Sequence, residues 1–409
     1  MAEDRAEHMT EGMAENRAAA VAEGKAQAGA EPKAKAGVEP KSKADTHRRG
    51  SAWIAKTVAQ TALFLLCCLL AYGLVSSWIV PQDGTAYRSD AYKRLQKNSV
   101  DALFIGASTY WDAISPMVMW QKYGVTGYVF ASSNCPPQIQ YLMLEEALKT
   151  QQPKVVFLAP QFLSRRGQSE DLLRITQGMT NRSLSIEKVE TALDIARDVD
   201  RRFGMYALAP LLAYHDKWKS IQEVTFVHES PEITMGQRCW YFYHIPLTGT
   251  TEGIISKGEK EFKKATKYNQ TAIKYYKKSI ELCRSRGIEV VFATMPLYHN
   301  YVNHEALRDF AKQEGVTYLN FNDPEHLRAM DIDHATEWRD KLHLNFWGAV
   351  RFSEYFGALI REQYGVPDRR ERGDAVAEEQ RSYYARYYEQ YGALLPGVLT
   401  PPDKVLQTG

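Results

Sequence analysis

The run WIAKTVAQTALFLLCCLLAYGLVSSWIV at residues 53–80 constrains this chain more than any other feature. It carries one charge, Lys56, over a length sufficient for a hydrocarbon core of about 30 Å. Such a stretch predicts one transmembrane helix over residues 52–80. The segment THRR at 46–49 and Lys56 stand on its N-terminal side, whereas SSWIVPQDG at its far end has no basic residue. The positive-inside rule therefore puts the N-terminus in the cytoplasm and the rest of the chain outside it, with Trp53 and Trp78 at the two interfaces of the bilayer. A cleaved signal peptide is the competing reading. Against it, the apolar run and the tail ahead of it are too long, and no A-x-A site follows.

Residues 1–50 repeat Ala, Glu, Lys and Gly, with near-copies such as AGAEPKAKAGVEPKSKA. A segment with so few large apolar side chains cannot offset the entropy of ordering, so a disordered cytoplasmic tail is expected. Across the whole chain, 51 basic residues stand against 49 acidic ones, a formal charge of +2, which gives no electrostatic case for a nucleic-acid partner. The five cysteines form no C-x-x-C pair and no His/Cys cluster at metal spacing, so no metal is implied. With the topology above, Cys135, Cys239 and Cys283 meet an oxidising compartment, and a bridge between two of them is left open.

From residue 81 onward, β-like apolar runs alternate with helical stretches, the pattern of an α/β layered domain around a mainly parallel sheet. Strands are expected at 102–105 (ALFI), 127–131 (GYVFA), 154–158 (KVVFL), 289–293 (EVVFA) and 316–320 (VTYLN). In such a sheet the chemistry gathers in the loops after the strands. Residues 166–225 read as a charged helical insertion or lid within an extracytoplasmic domain spanning 81–365. Residues 366–409 read as a helical tail, whose tyrosine-rich stretch EEQRSYYARYYEQYGALL packs on the domain or meets a partner. The lysine-rich segment 258–286 is expected to be one surface helix closed by Gly287.

Two short patches carry chemistry. In DALFIGASTYWDAISP a buried strand runs into Gly106, Ala107 and Ser108, so a serine stands on a tight turn with a small neighbour, open to attack on a carbonyl. Alone, this is an ordinary turn signature. In WRDKLHLNFWGAVRFSEYF, Asp340 precedes His343 by three residues, just ahead of an amphipathic helix containing Val350, Phe352 and Phe356. That spacing lets a carboxylate reach the imidazole Nδ1–H and leaves Nε2 free to take a proton from a serine. A strand-end serine early and a D-x-x-H loop before a late helix are together the layout of an α/β serine hydrolase. His215, His244, His299 and His304 lack triad or metal spacing and are expected to be structural.

At these residues the chain resembles the SGNH (GDSL-like) hydrolase superfamily, which implies a flavodoxin-like three-layer α/β/α sandwich with Ser108 as nucleophile and Asp340 with His343 in the last block. Within it, the chain looks most like membrane-anchored cell-envelope acylation proteins of the DltD type. The similar segments are KVVFLAPQFLSRRG at 154–167 and the D-x-x-H-L-x-x-x-G ending at 340–348, and the resemblance covers roughly residues 84–365. It implies no cofactor, a membrane-bound O-acyltransferase as partner and a glycopolymer as substrate. Two departures stand out: GAS replaces the usual GDS or GSS, and no G-x-N-D block supplies a side-chain oxyanion donor. Asn134 in ASSNCPPQ and Gln161 in APQFL are the two candidates for that donor, beside the backbone N–H groups of Ser108 and Thr109. Three functions follow as expectations. The first is a serine acyltransferase acting in O-acylation (acetyl or D-alanyl) of an envelope polysaccharide or teichoic acid, the second an esterase that deacylates envelope glycans or lipids, and the third a catalytically silent glycan-binding scaffold.

Overall fold

A computed structural model describes residues 43–80, 84–163, 178–179, 185–198, 201–214, 231–238, 242, 247, 250–261, 269–299 and 302–407. Most of the N-terminal tail, half of the 166–225 insertion, Cys239, His215 and His244 lie outside these residues. The chain divides into two compact units, 1–69 and 70–409.

The first helix, α1 (Lys43–Ile79), contains the stretch Trp53–Ser76, with mean hydropathy 2.1, long and apolar enough to cross a membrane. It begins inside the segment expected to be disordered. No proline lies between Pro40 and Pro81, so helix nucleated in the apolar run propagates back through residues 43–50 at little cost.

The longer elements that follow are α2 (Gly84–Arg94), β1 (Ala102–Gly106), α3 (Ser108–Ala113), α4 (Pro116–Tyr123), β2 (Gly127–Ala131), α5 (Pro137–Ala147) and β3 (Val155–Leu158). After them come α6 (Ile186–Asp198), α7 (Arg201–Leu208), α8 (Thr251–Glu261), α9 (Gln270–Arg284), β4 (Glu289–Thr294), α10 (His304–Glu314), β5 (Thr317–Asn320), α11 (Pro324–Met330), α12 (Phe346–Gln363) and α13 (Ala375–Tyr391). The five strands are all parallel, in the order β2-β1-β3-β4-β5. Parallel neighbours need long crossovers, and crossover helices cover both faces of the sheet, which is why the strands read as continuous apolar runs.

Successive side chains of each strand enter two separate cores. Leu103, Ile105, Tyr128, Phe130, Val156, Leu158 and Phe292 pack with α5, α9, α10 and α13 on one face. Phe104, Val129, Phe157 and Val291 pack with α3, α11 and α12 on the other, where Phe356 of α12 meets the Phe157 ring at 4.9 Å. Helix, sheet and helix thus form three layers.

One local detail departs from the sequence reading, and two others fill in what it left open. The 258–286 segment is not one helix: Asn269 lies outside helical structure and α9 starts anew at Gln270, with the Asn269 side chain accepting hydrogen bonds from the Thr271 and Ala272 N–H groups at 3.0 and 3.2 Å. A side-chain N-cap of this kind opens a new helix whatever the composition around it. The last helical residues give way at Ser285, while Gly287 takes φ +66° in the turn beyond. Cys135 and Cys283 are buried in the same core and are not bridged to one another. The tyrosine stripe of α13 faces the domain: Tyr383, Tyr384, Tyr387 and Tyr391 are buried in the core that covers one sheet face.

Candidate active site

The strand order reverses at β1, whose neighbours are β2 on one side and β3 on the other. The chain leaves β1 for β2 and then returns across to β3, so the loops above β1 and β3 diverge and leave a crevice at the strands' C-terminal ends. Ser108 follows β1, Asn134 follows β2 and Gln161 opens a short 3-10 turn after β3. The structure brings these three residues together with Ala107, Thr109, Leu342 and His343 around a half-open cleft of about 310 Å³.

Packing forces the turn that presents Ser108. A Cβ added to Gly106 would lie 2.6 Å from the Tyr110 ring and 2.9 Å from Ala159 Cβ, so only glycine lets β1 pass this close to α3 and β3. Tyr110 is held in place by donating its hydroxyl hydrogen to the Ala293 carbonyl at 2.7 Å, and Ser132 N–H reaches back to the Gly106 carbonyl at 3.2 Å. Ala107 stays extended, and Ser108 is the first residue of α3, partly exposed to the cleft.

The histidine arrives on a clasped loop. Trp338 and Leu344 form an antiparallel bridge, and the N–H groups of Arg339 and Asp340 both point to the His343 carbonyl, at 3.0 and 3.3 Å. Asn345 then caps α12 by accepting from the Gly348 N–H at 3.1 Å, and it ties the loop down by donating to the Thr336 carbonyl. A side chain at Gly348 would strike the Glu337 carbonyl, 2.4 Å from the position of a Cβ, so this helix start also depends on glycine.

Within the loop, Asp340 Oδ1 accepts from the backbone N–H groups of Leu342 at 2.8 Å and His343 at 3.0 Å, an Asx-type turn that fixes the carboxylate. His343 Nδ1 lies 2.9 Å from Oδ1 and 3.0 Å from Oδ2 of the same residue. An ionised carboxylate only accepts, so Nδ1 carries the proton and Nε2 is left as acceptor. Nε2 is 2.8 Å from Ser108 Oγ. Burial raises the Asp340 carboxyl, but hydrogen bonding to His343 and Leu342 and the charges of His343 and Arg339 outweigh it and hold the group well below the usual carboxylate range. It is an anion at neutral pH.

Two further charged residues of the site lie within the two sequence patches, where no motif spacing marks them. Asp112, one helical turn after Ser108 on α3, is buried, with Oδ2 4.0 Å from His343 Nε2. Arg339 spans the two carboxylates: its Nε donates to Asp340 Oδ2 at 3.0 Å, and its Nη1 lies 2.9 Å from Asp112 Oδ2. That second approach is an ion pair off the hydrogen-bond axis, and among the described residues neither oxygen of Asp112 accepts a well-directed hydrogen bond. Burial pushes the Asp112 carboxyl up to about 6, against the pull of Arg339, His343, Arg238 and Arg88. The sequence clue is a lone acid in the apolar run TYWDAI, a residue type that is buried only when something charged faces it.

Asn134 takes φ +45°, a left-handed turn conformation that asparagine tolerates, and Gln161 is buried at the cleft wall. Both carboxamides therefore border the cleft that holds Ser108. Among the described residues no group of His, Cys, Asp and Glu has the arrangement of a metal site. His304 is buried and paired with the Tyr318 hydroxyl, and burial pushes its imidazole down to about 3, a neutral structural group.

No protein-family model matches the chain, and no curated protein matches it. Among solved structures, the chain is similar to a crystal structure of a "putative acylhydrolase" from Bacteroides fragilis, at 8% identity and a TM-score of 0.32 over 68% of this chain and 95% of that one. A likeness this low carries no inference about the chemistry of the present chain.

Proposed function

We propose that this chain is a membrane-anchored serine acyl-transfer enzyme with Ser108 as nucleophile, His343 as general base and acid, and Asp340 as the group that orients the imidazole. The observation that carries the reading is the 2.8 Å contact between Ser108 Oγ and His343 Nε2, with Asp340 on the opposite side of the ring and an open cleft in front. In the first half-reaction Ser108 Oγ bonds to the acyl carbon of an ester while its proton passes to Nε2. The tetrahedral oxyanion is met by the N–H groups of Ser108 and Thr109 and by the amide of Asn134 or Gln161. Collapse breaks the ester bond, Nε2 returns the proton to the departing alcohol, and the acyl group stays on Ser108. A hydroxyl of the acceptor then attacks with His343 as base, and the serine regains its proton.

A cleft of about 310 Å³, whose described lining sets two carboxamides and a threonine beside the apolar Ala107 and Leu342, suits a short acyl group such as acetyl or D-alanyl. With the apolar helix as an anchor and a cytoplasmic N-terminus, the acceptor is a cell-envelope polysaccharide or teichoic acid, and a membrane-bound O-acyltransferase is the source of the acyl group. The half-open cleft favours one second reading, an esterase for envelope glycans, because water reaches the acyl-enzyme as readily as a sugar does. The test is reaction of the full-length protein in detergent with a fluorophosphonate, followed by peptide mapping, then p-nitrophenyl acetate turnover with and without a polyol. Label on Ser108 and diversion of acetyl to the polyol support transfer. Label with release of acetate alone supports the esterase, and a folded protein that takes no label at Ser108 sinks both.

A further inference from the structure

We infer that Asp112 is a positioning residue, a second carboxylate that stabilises the His343 imidazolium from its Nε2 side and, through Arg339, holds Asp340 in place behind the ring. The inference rests on the reading of Ser108 as nucleophile. His343 lies between two carboxylates: Asp340 touches Nδ1 at 2.9 Å, and Asp112 Oδ2 stands 4.0 Å from Nε2. Arg339 bridges them, with Nε at 3.0 Å from Asp340 and Nη1 at 2.9 Å from Asp112. In the resting state the serine hydroxyl occupies Nε2. Once Nε2 has taken the serine proton, the ring carries a positive charge, and a buried anion 4.0 Å away favours that form by Coulomb attraction weakly screened by water.

Every charged group facing Asp112 fits this arrangement. Arg339 and His343 arrive on the clasped loop. Arg88 of α2 and Arg238 stack on the Trp111 ring beside Asp112, at 4.7 and 5.2 Å to the ring centre. Arg88 is further fixed by donating to the Gly236 carbonyl at 2.9 Å, and Arg238 N–H donates to the Trp111 carbonyl at 2.9 Å. These cations compensate the desolvated carboxylate, yet none of them engages its oxygens in a directed hydrogen bond among the described residues. A carboxylate used only as a strut would be expected to accept such bonds, because a buried oxygen without one forfeits the hydrogen bonds it had to water. Oδ2, already paired with the Arg339 guanidinium, gains a second cation beside it during the reaction, when the imidazolium forms.

The experiment is the pH dependence of fluorophosphonate labelling of Ser108 in the full-length protein in detergent, for wild type and Asp112→Asn. Removing the negative charge disfavours the imidazolium, so the acidic limb of the rate profile moves to lower pH by about one unit, the lower end for an opposite charge at this range. A slower variant with an unmoved limb overturns the inference and leaves Asp112 a structural residue, while a wild type without label sinks the reading of Ser108 itself. If Asp112→Asn does not fold, selectively labelled wild type decides: the His343 Cε1–H shift titrates in two coupled steps if Asp112 shares its field, and in one step if it does not.

Discussion

Asp340 holds His343 through one carboxylate oxygen that accepts both the ring Nδ1–H and the backbone N–H of the same residue, at 2.9 and 3.0 Å. The imidazole is therefore fixed in tautomer and in position by a group three residues away. Asp340→Asn keeps the size but offers an amide to Nδ1, which favours the wrong tautomer. The expected result is a loss of labelling or ester turnover on the order of 10⁴-fold in a variant that still folds, with its unfolding midpoint at neutral pH lowered by the loss of the stabilised carboxylate.

The same carboxylate links the site to acid stability. A folded-state value held below the unfolded one, about 3.9, contributes stability that is fully present above that pH and is lost as pH falls through the folded value. Wild type should lose thermal stability on acidification below about pH 4 more steeply than Asp340→Asn. Equal slopes in a series of melting curves would show that the carboxylate is not stabilised in the fold.

Ser108→Ala removes one oxygen at a partly exposed position. Turnover of p-nitrophenyl acetate should fall by about a thousandfold or more, and urea unfolding should shift by less than about 1 kcal/mol. Activity retained in a folded variant would place the nucleophile elsewhere.

Gly106 has no room for a methyl group between Tyr110 and Ala159. Gly106→Ala must displace the ring that bonds the Ala293 carbonyl, and a destabilisation of about 1–3 kcal/mol is expected by denaturant titration. Because the turn beneath Ser108 shifts too, labelling should fall even where the protein remains folded.

The two carboxamides at the cleft separate by kinetics. If one of them donates to the oxyanion, its alanine variant loses about 10²–10³ in kcat with KM nearly constant, whereas the other changes turnover by only about a few-fold. Substantial loss at neither Asn134 nor Gln161 would leave the backbone N–H groups of Ser108 and Thr109 as the whole oxyanion site.

Much of this architecture is legible in one dimension, for identifiable reasons. The strands from Ala102 and from Val155 are buried on both faces, so they read as unbroken apolar runs, and Ser108 follows a glycine that the turn requires. Asp340 and His343 are legible because their geometry is local, set by an Asx-type turn three residues long. Asp112 and Arg339 are not, since a helix residue and a loop residue meet only after β1 and the distant α12 pack on the same sheet face. The break before α9 is hidden for another reason: Asn269 sits inside a lysine-rich run that reads as one helix, and only its side-chain cap to the Thr271 and Ala272 N–H groups marks a new start.

The clasp between Trp338 and Leu344 gathers His343, Asp340 and Arg339 onto one five-residue loop, while Ser108 stays on the other side of the cleft. These three groups cannot be withdrawn one at a time. A ligand or partner that lifted the loop by an ångström or two would part His343 from Ser108 in a single step, so the proposed site is either fully assembled or silent.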